Sequence, residues 1–262
     1  MADGRISFAV EGGIGLVQIA RPEKLNALDA GMVEALADLC REIERRGDVL
    51  AVILTGQGRS FSAGGDIAAW SALTPEAFGR HWLRDGHEAF DRLARLRQPV
   101  IAVLNGPALG GGLELAACAD YRIAEAQVKV GQPETGIGII AGWSGTQRAV
   151  RRFGAQRVRR MALFGEVLDA AEAQAAGIVD LVVESGAGLA AARDLATKVM
   201  ARGAIATELT KMLVNAAEGE EVERVLDSLA GRIAAASDEL REGLAAFGKK
   251  RAPGFGPKGD IR

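Results

Sequence analysis

The sequence predicts an α/β protein, and three observations lead there. Short β-branched runs alternate with helical patterns as far as about residue 185. Beyond that point the pattern is almost entirely helical and rich in alanine. Two apolar runs, residues 49–54 and 99–104, each give way to a glycine-rich segment and then to a short helical pattern.

In chain order, residues 5–10 alternate, turn through the glycines at 12–15 and continue over 16–20, which reads as a β-hairpin. Asp29 caps a helix whose apolar positions Val33, Leu36, Leu39, Cys40 and Ile43 recur at helical spacing, with Gly47 as its stop. Residues 49–54 form a buried strand. Thr74 and Pro75 open a second long helix that carries on towards Arg95, with the proline in its first turn. A central strand over 99–104 precedes the glycine-rich helix, and short strands follow at 121–124 and 128–130. From Gly145 onward helices dominate, apart from a strand at 178–183, with alanine-rich segments near 189–202, 206–217, 219–236 and 238–247. Val222, Val225, Leu226 and Leu229 are more apolar than a lone surface helix requires and are expected to pack on another subunit.

At 262 residues the chain can bury a full core, and 48% hydrophobic with 25% charged residues is ordinary globular composition. The formal charge of −2 names no partner. There is no signal-peptide core at the start and no apolar run long enough to span a membrane, so a soluble cytoplasmic enzyme is expected. Cys40 and Cys118 fit neither a zinc spacing nor a disulfide framework and read as buried hydrophobes. His81 and His87, the only histidines, are not spaced as a ligand pair on one helical face. Neither a metal site nor a histidine-dependent triad is expected. Gly136, Gly138 and Gly142 do not have dinucleotide-fingerprint spacing, and residues 142–145 fall short of a nucleophile elbow.

The chemistry-bearing residues cluster in three segments. Asn105-Gly-Pro-Ala-Leu-Gly-Gly-Gly-Leu-Glu114 puts three glycines at the mouth of a helix, whose first amides lack internal partners and suit a developing anion. Glu114 there is either a helix-start charge on the surface or a catalytic acid with a tuned pKa. Ser62-Ala-Gly-Gly-Asp66 offers a second set of amides around Ala63, with Asp66 as a capping residue in the plainer reading. Two such junctions could aim one N–H each at the same oxygen, as in an oxyanion hole. Glu134 follows Pro133 in a loop bounded by glycines. Two amide donors and two carboxylates suit proton transfer next to a carbonyl held by hydrogen bonds.

On these motifs the chain resembles the crotonase (enoyl-CoA hydratase/isomerase) superfamily over nearly its whole length. Arg21-Pro-Glu-Lys-Leu-Asn-Ala-Leu28, the two glycine segments, Gln132-Pro-Glu134 and Gly145-Thr-Gln-Arg148 stand in that family's order and spacing. The resemblance implies a crotonase-like spiral of ββα units over residues 1–187 and a C-terminal helical trimerisation region over 188–262, in homotrimers commonly paired into hexamers. It implies an acyl-CoA thioester as substrate, coenzyme A being part of the substrate and no other cofactor needed. By position Ala63 and Gly111 supply the oxyanion N–H groups and Gly142 an amide that helps hold a water. Glu114 and Glu134 match the two acids of the hydratases, whereas family isomerases typically keep only the second. The implied reaction is reversible hydration of trans-2-enoyl-CoA to 3-hydroxyacyl-CoA, in fatty acid metabolism, with Glu114 as base and protonated Glu134 as acid. Lys24, Leu25, Ala63, Asp66 and Ile67 are implied in coenzyme A binding, with Phe247 and Lys250 contributing from a neighbouring subunit.

Residues 140–145 depart from the short-chain hydratase pattern, and Trp143 is either a wall of the acyl pocket or core packing. The segment 241–262, with six basic and two acidic residues, is a solvated tail or a phosphate-facing flap. The first alternative activity is a Δ3-Δ2 isomerase or another acyl-CoA lyase of the same superfamily. The alternative from a different class is RNA binding through Arg148, Arg151, Arg152, Arg157, Arg159 and Arg160. Without an aromatic-interleaved platform these arginines read instead as salt-bridged at a subunit contact, and no nucleic acid is expected.

Overall fold

A computed structural model of the protein describes residues 4–255; the end of the basic C-terminal segment, residues 256–262, lies outside the described residues. The hairpin forms as expected, β1 (Ile6–Glu11) pairing antiparallel with β2 (Ile14–Ile19) across Gly12 and Gly13, both at positive φ. Along the chain follow β3 (Ala51–Gly56), β4 (Val100–Leu104), β5 (Ala108–Leu109), β6 (Tyr121–Glu125), β7 (Lys129–Gly131), β8 (Val167–Asp169) and β9 (Leu181–Val183). The main sheet has the order β1-β2-β3-β4-β6-β9 and is parallel from β2 onward.

Every residue of β3 and β4 is buried, because both faces of the sheet are covered. Val52, Leu54, Ala102 and Leu104 join one core with the helices Ala30–Arg45 and Arg84–Ala94. Ala51, Ile53, Ile101 and Val103 join a second core with Ala192 and Ala196 of the helix Gly188–Met200. The helix Ala30–Arg45 starts where the Asp29 carboxylate accepts the Met32 N–H at 3.0 Å, and it buries all five of the apolar positions that marked it. Cys40 and Cys118 are free and buried, and burial, with Cys118 close by, pushes the Cys40 thiol up to about 12.

Two features had no visible signature. β5 and β8, two and three residues long, are too short for any periodicity, yet with β7 they make a second sheet of order β5-β7-β8. The second long helix is interrupted: Pro75–Ala77, capped by Thr74, leads into a π-helical stretch, Phe78–Leu83, before Arg84–Ala94. That wider winding is frequent at functional sites, and Phe78, Trp82 and Leu83 all face the cavity described below.

The chain divides into two compact units, Met1–Lys211 and Met212–Arg262. The first holds both sheets and the helix Gly188–Met200; at its end Lys211 donates to the Gln98 carbonyl at 2.9 Å and pairs with Asp120 at 2.7 Å. In the second, which contains the helices Val222–Ala235 and Asp238–Gly248, Val225 is buried while Val222 and Leu226 are exposed. Among the described residues no helix is long and apolar enough to cross a membrane.

One buried side chain ties the first loop to the rest. Asn26, fully buried at φ +58°, accepts the Arg21 N–H at 2.9 Å and donates to the carbonyls of Gln57 (2.9 Å) and Ser60 (2.7 Å). Removing it takes the partner from the buried Ser60 carbonyl and from the less enclosed Gln57 carbonyl and Arg21 N–H. Asn26→Ala should lower unfolding free energy by about 2–4 kcal/mol, read as a shift of the urea midpoint at unchanged slope.

Candidate active site

The site is built by the segments that leave β3 and β4 at their carboxyl ends, where crevices form beside parallel strands. Asn105 joins them: its Oδ1 accepts the Gly56 N–H (3.1 Å) and its Nδ2 donates to the Gly58 carbonyl (2.8 Å). The Pro107 carbonyl accepts the N–H groups of Phe61 and Ser62 at 3.2 Å each, and the Leu109 N–H donates to Ser62 O at 3.1 Å. So zipped, the two backbones approach until only glycine fits. A Cβ on Gly112 would lie 2.1 Å from Ser62 O, and one on Gly64, at φ +95°, would lie 2.8 Å from the Gly111 nitrogen. The two segments marked by their glycines are therefore in contact.

Gly111 is the first residue of the helix Gly111–Ala116, so its N–H has no acceptor within that helix. Ala63 differs from the simple expectation. Its N–H donates to the Leu25 carbonyl at 3.0 Å, from a left-handed turn with Leu25 at φ +51°. A substrate oxygen must share or replace that bond.

Glu114, on the same short helix, is 4% exposed, which removes the surface-charge reading. Its Oε1 accepts two backbone N–H groups, from Trp143 and Gly145, each at 2.7 Å. Gly145 is held there because a Cβ would come within 2.4 Å of that oxygen. Glu134 begins the 3-10 turn Glu134–Ile137, and both its carboxyl oxygens are buried without a hydrogen-bond partner. One cavity of about 220 Å³ is lined by Ala63, Gly111, Glu114, Glu134, Gly142 and Trp143 together. Trp143 satisfies both readings at once: it lines the cavity and belongs to the main core, 3% exposed.

Both acids hold protons tightly. Burial first, and then repulsion from Glu134, push Glu114 up to about 8, against the two N–H donors and the Arg148 charge, which favour its ionised form. Burial also raises Glu134 above the ordinary carboxylate range. Near neutrality the pair therefore retains a proton that belongs to both.

Behind Glu114 lies a polar chain that sequence reading did not assemble. Ser144 sits at φ +74° between the two N–H donors, its Oγ 3.3 Å from His87 Nε2; His87 lies 3.7 Å from Asp91, which pairs with the fully buried Arg148. The signal available was the GTQR motif itself, which supports the family resemblance but gives its arginine no role of its own. The basic run that begins with this arginine is not a free basic face. Arg148 pairs with Asp91, Arg152 donates to the Ala119 carbonyl at 3.1 Å, and Arg160 pairs with Glu166.

The residues implied for coenzyme A separate into two groups. Lys24, Leu25, Ala63 and Ile67 are exposed, and Ala63 and Ile67 line the cavity. Asp66 is engaged internally: it caps the helix Ile67–Trp70 through the Ala68 N–H (3.1 Å) and pairs with Arg21 at 2.9 Å. Burial raises its pKa, but Arg21, Lys24 and that N–H outweigh burial and hold it below the usual range. Phe247 and Lys250 belong to the second unit, where both are exposed. A Cβ on Gly142 would meet Leu83 at 2.3 Å, and the N–H groups bonded to Glu114 are those of Trp143 and Gly145.

The enoyl-CoA hydratase/isomerase family model matches residues 9–258. A probable enoyl-CoA hydratase, echA8, of Mycobacterium tuberculosis is 37% identical over 248 residues, covering 92% of this chain and 94% of that one. The short-chain-enoyl-CoA hydratase of Clostridium acetobutylicum is 36% identical over 244 residues, covering 92% and 93%. The structure of Pseudomonas aeruginosa DspI superposes with a TM-score of 0.81 at 33% identity, covering 98% of each chain.

A carboxyl whose pKa is higher folded than unfolded stabilises least when ionised. The native state binds more protons than the unfolded chain between the ordinary glutamate value and about 8, so Glu114 costs stability progressively as pH rises through that window. Glu114→Gln keeps an acceptor for both N–H groups and carries no charge. At pH 8 its melting temperature should exceed that of the unmodified protein by about 3 °C or more, with the gap closing towards pH 5.

Proposed function

The chain belongs to the enoyl-CoA hydratase/isomerase family, and on that premise we propose that it hydrates trans-2-enoyl-CoA thioesters reversibly to 3-hydroxyacyl-CoA. The observation that carries this reading is the pair of acids, Glu114 buried and Glu134 with both carboxyl oxygens enclosed, in one cavity with Ala63 and Gly111. A single acid would suffice to move a proton between carbons. Adding water needs a base for the water and an acid for Cα.

In the proposed mechanism the thioester oxygen lies between the N–H groups of Ala63 and Gly111, the former giving up Leu25 for it. Glu114, fixed through Oε1, leaves Oε2 to take a proton from water as oxygen adds to Cβ. Glu134 delivers its proton to Cα. In this mechanism the proton starts on Glu134, whose oxygens have no partner in the protein; there it removes the repulsion on Glu114, and the two N–H donors and Arg148 favour the ionised Glu114 against the cost of burial. Coenzyme A enters only as part of the substrate, with the exposed residues Lys24, Leu25 and Ile67 as its proposed contacts. The same reading makes the protein a cytoplasmic enzyme of fatty acid metabolism, assembled as a trimer or paired trimers. Exposed Leu226, Ile233, Leu244 and Phe247 in the second unit support burial against further copies.

Incubation with crotonyl-CoA should remove the conjugated enoyl absorbance. Glu114→Gln and Glu134→Gln should each lower kcat by about 10²–10⁴-fold. Because the doubly ionised pair has no acid, kcat/KM should fall about tenfold per pH unit on the alkaline side, once the pair gives up its shared proton. Full activity in Glu114→Gln would overturn the two-acid mechanism.

A further inference from the structure

All three tryptophans of the chain, Trp70, Trp82 and Trp143, line the cavity that holds Glu114 and Glu134, and Phe78 joins them. In a protein with only 5% aromatic residues this concentration asks for a cause in the ligand. The rings converge on one point. A Cβ placed on Gly65 would lie 2.9 Å from Trp82, 3.5 Å from Trp143 and 3.5 Å from Trp70. Trp82 and Trp143 stand 4.9 Å apart at 46°, and Trp70 meets Phe78 edge-on at 5.5 Å. The backbone makes room for this packing, since a Cβ on Gly86 would fall 2.0 Å from Trp143 Nε1, and the indole is anchored by its bond to the Trp82 carbonyl at 3.0 Å.

We propose that the acyl group this site takes is a flat, conjugated one carrying an aryl ring on Cβ, with Trp70, Trp82 and Phe78 as the residues that select it. This rests on the hydratase reading above. Tilted and edge-on ring pairs at 4.5–7 Å add attraction beyond apolar burial, which a flexible alkyl chain does not obtain. Size agrees: a cavity of about 150 Å³ accommodates benzene, and this one offers about 220 Å³, the excess serving the enoyl unit beside the acids. The reaction is unchanged: from the hydroxy side, the Cβ–O bond breaks, Cα loses a proton, and water leaves as the alkene forms.

Because conjugation with the ring favours the alkene, the test runs in the direction that releases water. The purified protein is assayed with 3-hydroxy-3-phenylpropanoyl-CoA and with 3-hydroxyhexanoyl-CoA. The aryl substrate should show about tenfold higher kcat/KM, and Trp70→Leu should bring that ratio close to one. Binding is followed separately by quenching of tryptophan fluorescence, with unreactive 3-phenylpropanoyl-CoA expected to bind about tenfold tighter than hexanoyl-CoA. Turnover of the alkyl substrate with an equal or weaker response to the aryl one overturns the aryl assignment and leaves the hydratase reading standing. Tight, selective aryl binding without release of water from either substrate overturns the hydratase reading instead. Equal binding of the two unreactive thioesters overturns the aryl assignment whatever the turnover.

Discussion

A buried carboxyl gripped on one oxygen by two backbone N–H groups is the constraint to which the rest of this site conforms. Taking Glu114 out of water costs several kcal/mol in its ionised form, and the N–H bonds from Trp143 and Gly145 offset only part of that. The remainder appears as the carboxyl's raised pKa. Two N–H groups flanking a single residue reach one oxygen only if the residue between them bends the chain into a concave nest. That residue is Ser144, at φ +74°, a conformation that a side chain makes costly. Its hydroxyl stands 3.3 Å from His87, so the strained turn is braced from behind by a helix of the core. Gly145 must be glycine for the oxygen to come so close.

Much of this was legible in the amino-acid sequence, and the boundary of legibility has physical causes. Strands buried on both faces show as unbroken apolar runs, and so β3 and β4 stood out. The glycines at 64 and 110–112 announced close backbone approach, and Gly64 and Gly112 indeed lie where a Cβ would collide. What stayed hidden depends on contacts far apart in the chain. No local pattern reveals that the N–H of Trp143 bonds to a residue twenty-nine positions away. Nor does it reveal that Asp66 is taken up by Arg21 rather than left for a ligand. Arg148 looked like a member of a basic run because burial has no one-dimensional signature; fully enclosed beside Asp91, it adds a small contribution in favour of ionised Glu114. The π-helical turn was invisible for a similar reason, since one wider turn leaves apolar spacing almost intact while turning Phe78 and Trp82 towards the cavity.

The two halves of the site are prepared differently, and the difference bears on how catalysis is divided between them. On the acid side the geometry is complete before any ligand arrives. On the proposed oxyanion side the Ala63 N–H is already satisfied by the Leu25 carbonyl. Exchanging one neutral carbonyl acceptor for another gains little, because each bond made replaces one lost. A thioester bound as proposed would therefore draw modest benefit from this donor in its ground state. As charge gathers on the oxygen the balance shifts, since hydrogen bonds to an ionised acceptor are roughly twice as strong as those between neutral groups. In the proposed mechanism the exchange would then run in favour of the substrate, giving up the carbonyl of Leu25, an exposed turn residue. An internal competitor thus subtracts from binding of the ground state more than from stabilisation of the transition state, and binding of that differential kind is what accelerates a reaction.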